Sequence, residues 1–254
     1  MNYELSYRSM KSFYKYLLIL SISASSFAQK VNTELTYLVN PSKAKSNPPV
    51  LILLHGYGSS EGDLIEVAKT LDERFLTFSL RAPFKGSEVG YSWYELTRTR
   101  TNELTSNYAE LKQSKAKILS FISNACKAYK ADSTKVFLMG FSQGAIMAYD
   151  VALTSPKKIA GILALSGRML EDTKTAIAET TSVAKLKFFI AHGNSDNVIS
   201  IKESEKATEF LNTKNIKEVT YKKYEMPHSI SGAELNDIKV WLKKQITPPE
   251  KAKK

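Results

Sequence analysis

The sequence predicts an α/β fold, a mostly parallel, doubly wound sheet of about seven strands flanked by helices. Three observations carry this. From about residue 33 onward, short apolar runs alternate with longer stretches whose apolar positions fall three and four apart. Several runs are apolar at successive positions, as strands covered on both faces must be. The chain has 254 residues, 43% hydrophobic and 24% charged, the composition of a single soluble globular domain. With 11 Gly, 8 Pro and one Cys, collagen-like, low-complexity and disulfide-stapled chains are excluded, and no repeat or heptad pattern suggests a coiled coil.

Residues 1–28 read as an export signal. Arg8, Lys11 and Lys15 precede the apolar run Tyr16 to Ala24, and small residues Ser26 and Ala28 stand two apart before Gln29. This is the order of a cleavable signal peptide, with cleavage after Ala28, and Met10 offers a second start position. The run is too short to span a bilayer, so no stable membrane insertion is expected after cleavage. A single domain then covers residues 29–247, and 248–254, Lys-rich after Pro248-Pro249, is expected to be a frayed basic tail.

The net charge of +11 falls to +9 once Arg8, Lys11, Lys15 and Glu4 are removed with the signal. The lysines are scattered over outer helix faces. There is no basic face interleaved with aromatics, so nucleic-acid binding is not expected. Cys126 stands alone in a helical stretch and reads as a small buried hydrophobe.

The expected strands are Glu34–Val39, Val50–His55, Leu76–Leu80, Val136–Gly140, Ile159–Leu165, Leu186–Ala191 and Val219–Tyr224. The expected helices are Asp63–Glu73, Glu103–Tyr129, Gln143–Thr154, Lys202–Leu211 and Ala233–Lys244. A parallel sheet of this kind presents its ligand site at the carboxyl ends of its strands.

The sharpest signal is Gly140-Phe141-Ser142-Gln143-Gly144, directly between an expected strand and an expected helix. This G-x-S-x-G pattern is the nucleophile elbow of the α/β-hydrolases, where a strained turn projects a serine hydroxyl over the sheet edge. A hydroxyl needs a base, and only His55, His192 and His228 are available. The order Ser, acid, His selects His228, in the loop Glu225 to Ser229. The acid must lie between, and Asp196, in the loop after the strand Leu186–Ala191, is the best candidate. Asp150, Glu203 and Glu205 fall on helices with the spacing of solvated faces, and Asp172 is a reserve.

The run Leu51 to Ser59 reads as a buried strand opening into a glycine-containing turn, where a second oxyanion donor belongs. The backbone N–H groups of Tyr57 and Gln143 are the expected pair. His55 and His192 read as strand-end residues bracing their loops. No histidine spacing fits a metal, and none is expected. Gly86 to Gly90 lacks the Lys-Ser/Thr and helix start of a phosphate cradle and reads as a loop. The aromatic cluster Tyr91 to Tyr94 is either core packing beneath the site or a wall of an acyl pocket.

These motifs resemble the phospholipase/carboxylesterase family of small serine α/β-hydrolases, a group that includes acyl-protein thioesterases and bacterial carboxylesterases. The resemblance covers about residues 50 to 245. It rests on Leu54 to Ser59, Arg81-Ala82-Pro83, Gly90 to Tyr94, Gly140 to Ala145, Leu165-Ser166-Gly167, His192-Gly193 with Asp196 and Val198, and Met226-Pro227-His228 ahead of Trp241-Leu242. It implies Ser142, Asp196 and His228 as the triad and Tyr57 and Gln143 as oxyanion donors. The export signal and the lysine-rich exterior depart from many relatives.

The expected activity is hydrolysis of short- to medium-chain carboxylic esters, thioesters included, through an acyl-serine, with no cofactor. The expected partner is a small-molecule ester, in the periplasm or outside the cell, with the enzyme a monomer or homodimer. Little chain is left over for a lid, so an open site is expected. Two alternatives stand beside this: a serine peptidase of the same fold, and a catalytically silent binding protein.

Overall fold

A computed structural model describes residues 30–86, 89–98, 100, 104–178 and 180–247. The expected signal peptide and basic tail lie outside the described residues. From Val31 onward the chain forms one compact unit.

The central sheet is built from β1 (Tyr37–Asn40), β2 (Val50–Leu54), β3 (Leu76–Leu80), β8 (Val136–Phe141), β9 (Gly161–Leu165), β10 (Lys187–Gly193) and β11 (Glu218–Tyr224). Their spatial order is β1-β3-β2-β8-β9-β10-β11. Every neighbouring pair is parallel except β1 with β3. The strands β2, β3 and β9 are buried along their whole length, which explains the unbroken apolar sequence of β2 and β9; β3 buries Thr77 and Ser79 between its apolar residues. The edge strand β11 is only partly buried, with Glu218, Lys222 and Lys223 exposed to solvent.

Alternate residues of one strand feed two different cores, one on each face. Val50, Ile52, Leu54, Leu138 and Phe188 pack with Ile118, Phe121 and Ile122 of α2 (Tyr108–Ala128), with Tyr149 and Val151 of α3 (Gln143–Thr154), and with Leu211 of α6 (Lys202–Thr213). Leu51, Leu53, Phe137, Met139 and Phe189 pack against Leu64 and Ile65 of α1 (Glu61–Ala68) and against Ile238, Trp241 and Leu242 of α7 (Gly232–Ile246). This division is what doubly wound means in side-chain terms.

Helix starts follow their capping residues. Ser60 caps α1, Asn107 caps α2, and Ser231 with Glu234 forms a reciprocal capping box on α7. The cap at Asn107 corrects the expected start of α2 at Glu103: Leu104–Ser106 is a strand, β7, so the helix begins later. The expected helix Asp63–Glu73 is likewise shorter, and the edge strand expected at Glu34 begins at Tyr37.

The sequence reading places no element between Leu80 and Glu103. The chain there forms two small antiparallel pairs, β4 (Phe84–Lys85) with β5 (Tyr91–Ser92), and β6 (Leu96–Arg98) with β7. Two- and three-residue strands are too short to show a period of two. Two short helices, α4 (Glu171–Thr175) and α5 (Thr180–Val183), complete the described elements with a 3-10 turn at Pro156–Lys158. Cys126 is buried in the core as expected. No described helix is long and apolar enough to cross a membrane.

Candidate active site

The register of the sheet brings the ends of β2, β8, β9 and β10 to one edge, with Leu54 beside Gly140, Phe141 beside Leu165, and Leu165 beside Ala191. Ser142 stands just beyond β8, with φ 53° and ψ −116°. A non-glycine residue with positive φ is strained, and this turn is held by its surroundings. Its N–H donates to Leu165 O at 2.9 Å. The two flanking glycines have no room for a side chain: a Cβ on Gly140 would stand 2.2 Å from Gly144 O, and one on Gly144 would stand 2.0 Å from Leu54 O.

Ser142 occupies the N-cap position of α3, where a serine hydroxyl ordinarily accepts from the first-turn N–H groups. Here it makes no such cap. Its Oγ is instead 2.9 Å from His228 Nε2, and His228 Nδ1 is 2.7 Å from Asp196 Oδ2. No side chain caps the first turn of α3, so the Gln143 N–H stands at the positive end of the helix without a side-chain acceptor, while Ala145 N–H donates to Ser142 O at 3.0 Å.

The Asp196 side chain is fully buried, while that of His228 is 15% exposed. Asp196 Oδ1 accepts from the N–H groups of Val198 and Ile199, both at 2.9 Å. Burial alone would raise its carboxyl pKa, but the His228 bond and these two backbone donors outweigh it and hold the carboxyl below its usual range. His228 is positioned from above by Phe141, whose ring centroid is 4.9 Å away. The acid and histidine loops are tied together, since Asn194 N–H donates to Tyr224 O and Ser195 N–H to Met226 O.

The bracing histidines behave as expected. His55 Nδ1–H donates to Gly56 O at 2.7 Å while its Nε2 accepts from Ala82 N–H at 3.1 Å, and burial lowers its pKa. His192 Nε2–H donates to Ile199 O at 2.8 Å and lies 3.2 Å from Asp196 Oδ2, so it supports the acid loop from below.

Gln143 does more than the sequence suggests. The Gln143 side chain, buried beneath the elbow, accepts from Trp93 N–H at 2.9 Å and donates to Tyr94 O at 2.7 Å. It pins the excursion between β5 and β6 to the turn that carries Ser142. The aromatic cluster serves both roles open to it: Trp93 is core, its indole N–H donating to His55 O at 2.9 Å, and Tyr94 lines the site. One expectation is corrected. Asp150, read as part of a solvated helix face, is buried, because Lys115 reaches it at 3.0 Å and Thr173 donates to it at 2.9 Å. A charge with partners can sit where its helix faces the interior. Asp172 is exposed on α4.

The triad opens into a cavity of about 510 Å³ that Ser142, His228, Gly56, Tyr57 and Gln143 line on one side. Tyr94, Leu96, Ile146, Val198 and Ile199 line much of the rest, and Arg168 and Glu203 are its charged members. Tyr57 is thus at the site, as the sequence places it.

A parallel, doubly wound sheet with a hydrogen-bonded Ser, His and Asp at its carboxyl edge defines a serine hydrolase of the α/β-hydrolase fold. The phospholipase/carboxylesterase family model matches residues 36–246, and the chain belongs to this family, serine hydrolases acting on carboxylic ester bonds. Among curated relatives, the acyl-protein thioesterase 1 of Mycosarcoma maydis is 28% identical over 232 residues, covering 83% of this chain and 97% of its own. Among solved structures, the Bacillus cereus carboxylesterase is 24% identical with a TM-score of 0.71, covering 84% of this chain and 95% of its own. The acyl-protein thioesterase 2 of Zea mays is 18% identical with a TM-score of 0.71, covering 84% and 99%. These structures share the fold.

Proposed function

We infer that the chain is an exported carboxylesterase that cleaves short- to medium-chain carboxylic esters, thioesters included, through an acyl-Ser142 intermediate. The observation that carries this reading is the continuous contact from Asp196 through His228 to Ser142 at the mouth of one cavity. Asp196 accepts from Nδ1–H, which leaves Nε2 as the base facing the serine hydroxyl. His228 takes the Ser142 proton as Oγ attacks the acyl carbon. The backbone N–H groups of Tyr57 and Gln143 receive the oxyanion, each worth roughly 3 kcal/mol in the transition state. His228 then gives its proton to the leaving alcohol or thiol and activates water for deacylation.

A cavity of about 510 Å³ suits compact acyl groups, being in the lower half of the ~300–1,000 Å³ usual for small-ligand sites. The names of the thioesterase relatives support including thioesters. The export reading rests on residues 1–28.

The test is a series of 4-nitrophenyl esters from acetate to palmitate, with matched S-acyl thioesters, run beside fluorophosphonate labelling and a Ser142→Ala control. Labelling and turnover should vanish in the control, and rates should fall from butyrate or hexanoate to palmitate. Palmitate cleaved as fast as butyrate would overturn the chain-length reading, and labelling that survives in Ser142→Ala the nucleophile. Expression of the full chain with cell fractionation tests export: retention in the cytoplasm at its uncleaved mass would overturn that part.

A further inference from the structure

Arg168 differs from other arginines of the described fold in what it holds. Arg74 forks onto Asp72 at 2.8 and 2.6 Å, and Arg81 forks onto Glu61 at 2.6 and 2.5 Å, each guanidinium satisfied by a carboxylate. Arg168, half-buried, lines the catalytic cavity, and among the described residues it has neither an ion pair nor a hydrogen bond. Its position is tightly set. It follows Gly167, where a Cβ would stand 2.5 Å from Ala145 Cβ and 3.3 Å from Ser142 O, so the backbone one residue before Arg168 rests on the nucleophile elbow.

A second group stands with it. Tyr94, fully buried, also lines the cavity, and its hydroxyl, with Ser106 as a polar side-chain neighbour, makes no hydrogen bond of ordinary geometry. Burial pushes this phenol well up, and the main influence opposing that rise is the Arg168 charge, which therefore acts on the hydroxyl. A neutral phenol is a donor. The cavity wall thus carries a half-buried guanidinium with no protein partner among the described residues and one buried O–H without a partner, a pairing suited to an acceptor that reaches both.

Glu203, the other charged residue lining the cavity, is held by Lys206 at 2.8 Å.

Resting on the esterase reading above, we propose that Arg168 and Tyr94 form an anion subsite within the catalytic cavity, and that the preferred substrates are carboxylic esters carrying a second, negatively charged carboxylate several bonds from the scissile carbonyl. The carboxylate accepts from the guanidinium fork and the Tyr94 hydroxyl while the ester carbonyl lies at Ser142. An uncharged ester of the same length leaves both donors unpaired.

The test compares matched esters. For a charge on the acyl side, mono-4-nitrophenyl adipate is set against 4-nitrophenyl hexanoate; for a charge on the alcohol side, 4-butyryloxybenzoate against phenyl butyrate. In the wild-type chain, the charged member of at least one pair should be cleaved with a kcat/KM no lower than its neutral partner. Arg168→Gln should lower that charged-to-neutral ratio by about tenfold or more, Arg168→Lys should retain part of it, and Tyr94→Phe should lower it less. Raising the salt from 0.05 to 0.5 M should lower the wild-type ratio, as screening requires. A structural role for Arg168 would lower both rates together and leave the ratio unmoved. Ratios within twofold of wild type in Arg168→Gln for both pairs, with esters still cleaved, overturn the subsite while the esterase reading stands. If the wild-type chain cleaves none of the four esters, the esterase reading fails and the subsite with it.

Discussion

Replacing Asp196 with Asn tests the geometry more sharply than removing the serine, because the side chain keeps its shape and loses only its charge and one acceptor. The amide must choose between two orientations. With its oxygen toward the loop, it keeps the bonds from Val198 and Ile199 N–H, both 2.9 Å in the native chain, and presents NH₂ to His228 Nδ1. His228 must then accept at Nδ1 and carry its proton on Nε2, 2.9 Å from Ser142 Oγ, where a base is needed. With the amide turned over, the histidine keeps its tautomer, but NH₂ faces two backbone donors, and losing both bonds costs roughly 2–6 kcal/mol. The first orientation wins, although its NH₂ stands 3.2 Å from the His192 donor. The consequence is the wrong tautomer, and kcat/KM on 4-nitrophenyl butyrate should fall about 10⁴-fold, as in the serine-protease template for the same change. At 1.36 kcal/mol per decade this is ~5.5 kcal/mol of transition-state stabilisation. Steady-state hydrolysis and the rate of fluorophosphonate labelling should fall together, with a native-like melting curve. Activity within tenfold of wild type would refute the assignment of Asp196 as the group that sets the histidine tautomer.

Other expectations follow from single contacts. Gln143→Leu leaves Trp93 N–H and Tyr94 O without partners in the interior, and urea denaturation should register a loss of roughly 2–4 kcal/mol; an unchanged midpoint would mean that Gln143 does not anchor the excursion. Glu234 is buried with one oxygen unpartnered, and burial raises its carboxyl to about 7 from 4.5. The folded state therefore binds the proton more tightly than the unfolded one, so this group's contribution is full below about pH 4.5 and is lost as pH rises through 7, by up to ~3 kcal/mol. Glu234→Gln should flatten stability against pH between 5 and 8 and exceed wild type at pH 8, and an unchanged slope would contradict it. Gly232→Ala, with nothing within 4 Å of the new Cβ at the start of α7, should stabilise by about 0.4–1 kcal/mol. Gly144→Ala, 2.0 Å from Leu54 O, should abolish activity and lower the melting temperature sharply; equal melting curves for the two alanines would refute the close approach at the elbow.

Much of this protein is legible in one dimension. Strands buried on both faces announce themselves as apolar runs, and Val50–Leu54 and Val136–Phe141 stand within a residue of where the runs put them, as does the alternating Leu76–Leu80. The elbow is legible because its steric demands are local: five consecutive residues must turn sharply between a strand and a helix, and glycine is required where carbonyls approach. The order of serine, acid and histidine then narrows the partners to Asp196 and His228. What stayed hidden lacks a local signature. The pairs at Phe84–Lys85 with Tyr91–Ser92, and Leu96–Arg98 with Leu104–Ser106, are too short to print a period, and they exist because Gln143 and the core hold their ends. Asp150 looked solvated because helical spacing tells which residues share a face, not which face meets the interior; Lys115, from another helix, settles that. The pairing of Arg168 with Tyr94 in one cavity joins residues 74 positions apart on different elements. Covalent spacing and steric demand act along the chain, so they alone determined the frame and the elbow that carries Ser142. Which charges find partners, and which line the cavity without one, depends on distances across the sheet that only folding creates.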